Sequence, residues 1–271
     1  DTLRSRGLGD VYKRQEPNLQ NIPIRTPEGV TIREAFVASE GKKILAMDYS
    51  QIELRLMAHY SKDQIMLDSF KNNEDIHKRT ASEVFSVEME NVTDEMRRRA
   101  KTINFGLLYG MSAFGLSNQL SVSRAEAEDF LLNYFAKYSS IKVFMKDVVE
   151  QAKKDKYVST LYGRKIHVPN IESPNYMLRQ SSERAAVNGP LQGSAADIIK
   201  RAMINIFKES GGNEKDIKMI LQVHDELVFE VPEDYDEKNI SYLIDLMEES
   251  SSIDVPLKVE YGFGSNWREA H

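Results

Sequence analysis

Apolar positions along this chain follow two periods. Short β-rich runs at 31–37, 43–47, 218–223, 226–231 and 256–261 predict strands. Between the second and third of these the spacing turns helical. Ser50 opens a helical pattern carrying Ile52, Leu54, Leu56 and Met57, and further helices are expected at 63–71, 74–85, 93–109, 123–135 and 139–154. A long helix runs from about 178 to 209, and another is expected at 236–250. Residues 157–162 and 165–168 flank Gly163-Arg164 as a small hairpin, 16–29 reads as a Pro- and Asn-rich loop, and 1–15 shows no clear period. Strands at both ends with helices between them predict an α+β fold, an antiparallel sheet interrupted by a helical insertion.

Local signals sharpen several boundaries. Thr93 followed by Asp94 and Glu95 is an N-cap with an acidic first turn, and Ser123 with Glu126 forms a capping-box pattern. Gly211-Gly212 should stop the long helix, and Pro190 should bend or break it. Only His224-Asp225 separates 218–223 from 226–231, which predicts a tight hairpin. His-Asp is poor primed-turn chemistry, a hint of strain kept for function.

Composition changes this picture little. With 41% hydrophobic and 29% charged residues the chain reads as an ordinary soluble globular protein. No apolar run is long enough for a transmembrane helix, and the N-terminus lacks a secretory apolar region, so a cytoplasmic protein with no membrane partner is expected. The absence of cysteine excludes disulfides and thiolate metal sites. The net charge of −6 argues against a broadly basic nucleic-acid surface. Acidic residues concentrate at 233–237 and 245–249, however, and basic ones at 97–101 and 153–156, so the local footprint survives.

The candidate chemistry lies at two strand ends and on two helices. Asp48 closes the apolar run 43–47, and Asp225 sits in the predicted hairpin turn before Glu226. Two such carboxylates can hold divalent metal for phosphoryl or nucleotidyl transfer. The bland alternatives are a helix-start acid for Asp48, a capping box of Ser50 with Glu53, and a polar hairpin tip for 224–226. Arg97, Lys101, Phe105 and Tyr109 recur at steps of four, making a slowly turning stripe that passes from cationic to aromatic. Cations take phosphates and aromatic faces stack on sugar and base, whereas a solvated basic face with a core aromatic pair is the alternative. Gly106 and Gly110 beside the aromatics point to close approach by another group. Arg184, Asn188 and Gln192 repeat the four-residue step with side chains suited to nucleic-acid hydrogen bonds. His59, His167 and His271 show no metal spacing, and His77 stands on a short helix where it can meet a phosphate.

Together these residues resemble the family A DNA polymerases from Glu16-Pro-Asn-Leu-Gln-Asn-Ile-Pro to the C-terminus. The resemblance rests on Asp48-Tyr-Ser-Gln-Ile-Glu-Leu-Arg55, on Arg97-Arg-Arg-Ala-Lys101-Thr-Ile-Asn-Phe105-Gly-Leu-Leu-Tyr109-Gly and on Val223-His-Asp-Glu226. Asp75-Ile-His77, the 184–192 segment and Tyr261-Gly-Phe-Gly-Ser-Asn-Trp267 also match. It implies an antiparallel palm sheet with an inserted helical fingers subdomain: palm at 16–60, fingers at 61–185, palm again at 186–271, after an unmatched segment 1–15. Family members carry a thumb ahead of this match, so a truncated palm-and-fingers chain is expected.

The resemblance also implies roles. Asp48, Asp225 and the Tyr49 carbonyl would bind two Mg²⁺ ions, with Glu226 in support. Arg25, Gln51, His77, Arg97 and Lys101 would meet the nucleotide, and Lys101 would protonate the pyrophosphate. Phe105 would pack on the sugar, Glu53 would exclude a 2′-hydroxyl, and Tyr109 would border the template base. Arg184, Asn188, Gln192 and His224 would track the primer–template DNA. The implied activity is template-directed addition of deoxynucleoside triphosphates to a primer 3′-hydroxyl by a monomer. A silent fragment that only binds nucleotide or DNA is the alternative. A two-metal nuclease would leave the Lys101–Phe105–Tyr109 stripe without a role.

Overall fold

The computed structural model describes residues 27–210 and 217–271. They fall into two compact units. One comprises the described residues up to Ile52, together with Ala195–Ser252 and Leu257–His271; the other comprises Glu53–Ser194 and Ile253–Pro256.

The first unit opens with helix α1 (Pro27–Glu34), which leads into strand β1 (Lys42–Tyr49). The 31–37 run was expected to be a strand, and most of it is helical instead. Proline suits the first helical position, Glu28 and Arg33 lie at the ends that the macrodipole favours, and these local signals outweigh the β-branched Val30, Thr31 and Ile32. Only Val37 keeps a β character, as an isolated bridge to Asn266.

The second unit takes up most of the helices: α2 (Ile52–Ser61), α3 (Gln64–Lys71), α4 (Ile76–Phe85), α5 (Asp94–Leu108), α6 (Ala113–Leu120), α7 (Arg124–Lys137) and α8 (Ser139–Asp155). Side chains of Asp63, Asp75, Thr93, Ser112 and Ser123 cap α3 to α7 by accepting backbone N–H groups. Helix α6 was not anticipated; Gly115 and its serines blur the apolar period that would have marked it. The hairpin β2 (Tyr157–Ser159) and β3 (Lys165–His167) turns at Gly163, where φ is 79°. Its inner face packs with Ala152, Val168, Ile171 and Ala186.

Helix α9 (Tyr176–Glu209) runs on through Pro190 rather than breaking there. Gly189 and Gly193 flank the proline so closely against the hairpin that an added Cβ would lie 2.9 Å from Val158 and 2.5 Å from Thr160. Arg164 also donates to the Gly193 carbonyl at 2.8 Å. Packing on both sides of the missing hydrogen bond outweighs its loss. The expected stop at Gly211-Gly212 lies outside the described residues.

The first unit closes with β4 (Lys218–Val223), β5 (Glu226–Pro232), helix α10 (Glu237–Glu248) and β6 (Val259–Gly264). The four long strands form one antiparallel sheet in the order β4-β5-β1-β6. Strand β6 (259–264) lies three residues later than the 256–261 expected; Pro256 has no N–H to give a ladder, and pairing starts at Tyr49 with Val259. Residues 44–47 of β1 are buried on both faces, as a central strand requires. One face packs Ile44, Ala46 and Val228 beneath Trp267 and Ala270 of the C-terminal turn. On the other, Tyr49 Oη donates to the Met247 carbonyl of α10 at 2.6 Å.

Candidate functional site

In the first unit the sheet register builds an acidic row. Asp48 pairs across β1 with Glu226 of β5 on one side and with Glu260 of β6 on the other. Directly opposed residues project to the same face of an antiparallel sheet, so the three carboxylates share a side. Asp225 joins them from the hairpin turn, where its carbonyl accepts the Tyr49 N–H at 3.2 Å. Burial and then the charges of Asp225 and Glu226 push the Asp48 carboxyl up to about 7. A divalent cation would relieve that repulsion, and carboxylate with carbonyl oxygen is a donor set suited to Mg²⁺.

Glu226 is also tied to the C-terminal turn. It is buried, accepts the Trp267 indole N–H at 2.9 Å, and lies 3.6 Å from His271. No group of three or more His, Asp or Glu side chains is arranged to hold an ion among the described residues. Trp267, His271 and Glu260 were not singled out as neighbours of the acids; the chain's single tryptophan was the available signal. Arg33 was also missed. It is buried with its guanidinium 4.1 Å from the Trp267 ring, and burial holds its pKa below the usual value.

Strain accompanies both acids. Gln51, three residues after Asp48, has φ 56°, and His224, one residue before Asp225, has φ 55°. Left-handed backbone at a non-glycine residue costs energy and concentrates at functional sites. Gln51 also buries its side-chain oxygen without a hydrogen-bond partner among the described residues. With Gln51 left-handed, α2 starts at Ile52, one residue later than a capping box with Ser50 as N-cap requires.

In the second unit Glu53 instead accepts the Tyr109 hydroxyl at 2.9 Å. Tyr109 caps α5, and Gly110 follows with φ 65°. The Gly110 N–H donates to Leu107 and the Met111 N–H to Gly106, a paired closure that requires the left-handed glycine. A Cβ on Gly110 would sit 2.6 Å from Arg184, so the close approach inferred at this glycine is made by a site residue. Asn188 buries an amide oxygen that has no partner among the described residues, while Arg184 and Gln192 are exposed.

Higher on α5 the cations separate by function. Arg98 and Arg99 are both held by Glu95, and Arg97 Nε donates to Asp75 at 2.6 Å. Lys101 is exposed and has no ion-pair partner among the described residues. His77 is 2% exposed, with its ring 5.6 Å from that of Phe105. Burial, aided by Lys101 and Arg97, drives its pKa down to about 4 against the opposing pull of Asp75. Asn104 Nδ2 lies 3.1 Å from His77 Nδ1, a partner that steps of four along α5 passed over. Arg25 lies outside the described residues. No helix among the described residues is long and apolar enough to cross a membrane.

Known proteins give this arrangement a lineage. The chain is 53% identical over 259 residues to DNA polymerase I of Pseudomonas aeruginosa, covering 94% of this chain and 28% of that protein. It is 46% identical over 256 residues to DNA polymerase I of Bacillus subtilis, covering 94% of this chain and 29% of that one. The structure of the POL domain of Pol1 from M. smegmatis, in complex with DNA primer-template and dNTP, superposes with a TM-score of 0.88 at 46% identity. That likeness covers 94% of this chain and 45% of the other. The chain thus spans less than a third of the length of these curated relatives. Residues 12–269 match DNA polymerase family A, and with the carboxylate pair and the cationic-to-aromatic helix both in place, the chain belongs to that family.

Proposed function

We propose that this chain is the palm and fingers portion of a DNA-directed DNA polymerase, adding deoxynucleotides to a primer 3′-hydroxyl under template direction. The observation that carries the reading is Asp48, crowded by Asp225 and Glu226 at the end of β1 and held near neutrality. Family A polymerases work with divalent metal. Asp48, Asp225 and the Tyr49 carbonyl are the groups that would hold two Mg²⁺ ions, which when bound supply Lewis-acid stabilisation of the reacting phosphate.

The chain's own residues supply the rest. Arg97 and Lys101 bind the triphosphate, and the Lys101 ammonium gives a proton to the departing pyrophosphate. His77 donates to a phosphate oxygen. Phe105 packs on the sugar, Glu53 occupies the space beneath its 2′ position, and Tyr109 borders the template base. Gln51 and Arg25 reach the nucleotide. Arg184, Asn188, Gln192 and His224 follow the primer–template strand. We propose, too, that the chain acts as a monomer in the cytoplasm.

The test is a graft. This segment replaces the matching residues of the P. aeruginosa enzyme, and extension of a labelled primer is followed with Mg²⁺ and with EDTA. Metal-dependent extension that disappears in Asp48→Asn and Asp225→Asn supports the proposal. A soluble graft that binds primer–template but never extends it would favour the alternative, a segment that only binds.

A further inference from the structure

A buried polar chain lies behind the candidate phosphate stripe, and its protons can be counted. Thr80 of α4 donates its single hydroxyl proton to the Ile76 carbonyl at 2.8 Å. Asn104 Oδ1 is also near Thr80 Oγ1, at 3.2 Å, but the helix carbonyl is closer. With that proton committed, Thr80 Oγ1 acts as an acceptor, toward Asn104 Nδ2 at 3.0 Å and Tyr138 Oη at 3.3 Å. Asn104 then has one amide N–H remaining, and its Nδ2 faces His77 Nδ1 at 3.1 Å. A donor aimed at Nδ1 requires a lone pair there, which places the imidazole proton on Nε2.

We propose that Asn104 is a positioning residue that locks His77 in its neutral Nε2–H tautomer, so that it offers the triphosphate of a nucleotide a fixed hydrogen-bond donor rather than another cation. The tautomer follows from the orientation of the Asn104 amide, with Nδ2 toward His77; only the identity of the anion rests on the polymerase reading above.

The charged groups around the ring agree. Asp75, which would favour an imidazolium, accepts from Arg97 Nε and from the His77 and Lys78 N–H groups, so its charge is already answered. Arg97 and Lys101 disfavour a further positive charge, as does burial. Tyr138, from the junction of α7 and α8, stays a neutral phenol because burial raises its pKa. Phe105 closes the remaining side. A neutral donor has a use here: it can remain while a polyphosphate binds and while pyrophosphate leaves, without adding to the electrostatic hold on the product.

The chain is labelled with ¹³C and ¹⁵N at its five histidines, and His77 is assigned by its loss in His77→Gln. Near pH 7 the ring nitrogen and Cδ2 shifts of His77 should report the Nε2–H tautomer. A dominant Nδ1–H form or an imidazolium overturns the proposal, and this reading of the unaltered chain needs no variant to fold. Asn104→Asp replaces the donor facing Nδ1 with an acceptor and should move the proton to Nδ1; an unchanged tautomer in a folded variant also overturns it. Adding Mg·dGTP, or inorganic tripolyphosphate alone, should move the His77 Nε2 resonance. The apparent Kd should rise about tenfold or more in Asn104→Asp, the loss expected for a hydrogen bond to a charged partner. A correct tautomer with no response to either polyphosphate overturns the phosphate assignment and the nucleotide reading of α5, while the role of Asn104 toward His77 stands.

Discussion

Tyr109 Oη holds the Glu53 carboxylate at 2.9 Å, and that bond fixes where the acid can stand. A carboxylate kept beneath the sugar leaves no room for a 2′-hydroxyl, so Glu53→Ala in the grafted enzyme should admit ribonucleotides. The ratio of kcat/KM for a dNTP and its rNTP measures this, and an unchanged ratio would remove Glu53 from the sugar site. The substitution also takes the acceptor from the exposed Tyr109 hydroxyl, which should cost about 1 kcal/mol of stability. His77 gives a pH signature of its own. Its folded pKa is depressed to about 4 from an ordinary 6.5. Its contribution to stability is therefore complete above about 6.5 and is lost as pH falls toward 4, because the unfolded chain takes up the proton first. The effect is on the order of 3 kcal/mol. His77→Gln should flatten the fall in Tm between pH 6.5 and 4; a slope equal to that of the parent would contradict the buried neutral ring.

At the scale of elements, the pieces carrying the chemistry were readable because their signals are local. The 218–223 and 226–231 runs became β4 and β5 almost residue for residue, and Thr93 caps α5 as its hydroxyl suggests. Helix α1, helix α6 and the passage of α9 through Pro190 were not readable, since in each case end signals or packing partners overrode the periodic pattern. The end of α5 shows how an element positions a residue beyond itself. Gly110→Ala forces a side chain into φ 65° and against Arg184 Cγ. It should cost about 1–3 kcal/mol, from the left-handed strain together with the clash. Chemical denaturation measures the loss, and weaker primer–template binding in the same variant would report displacement of Arg184. A neutral Gly110→Ala would mean that α5 ends differently.

Across the whole chain, the acids of the candidate site are assembled by contacts between residues far apart in sequence. The C-terminal turn folds over β6 so tightly that a Cβ at Gly262 would fall 2.3 Å from the Ala270 carbonyl oxygen. That turn delivers Trp267, whose indole N–H donates to the Glu226 carboxylate beside the Asp48–Asp225 pair. Trp267→Phe keeps most of the ring that packs on Arg33 and Phe36 but strips a buried carboxylate of its donor. It should destabilise the chain by about 1–3 kcal/mol and weaken metal-dependent extension. Urea titration and Mg²⁺ dependence of the grafted enzyme check both, and wild-type values for each would show that Glu226 needs no such hold. The amino-acid sequence by itself determined most of the elements, the placement of Asp48 and Asp225 at strand ends, and the cationic-to-aromatic run along one helix. Periodicity, caps and turn residues act within a few positions and can be read one segment at a time. Only the tertiary structure decided that β5, β1 and β6 align Glu226, Asp48 and Glu260, that Trp267 takes Glu226, and that Asn104 meets His77. Those choices are made by burial and hydrogen-bond satisfaction among distant segments, and no local pattern records which partner a buried polar group will find.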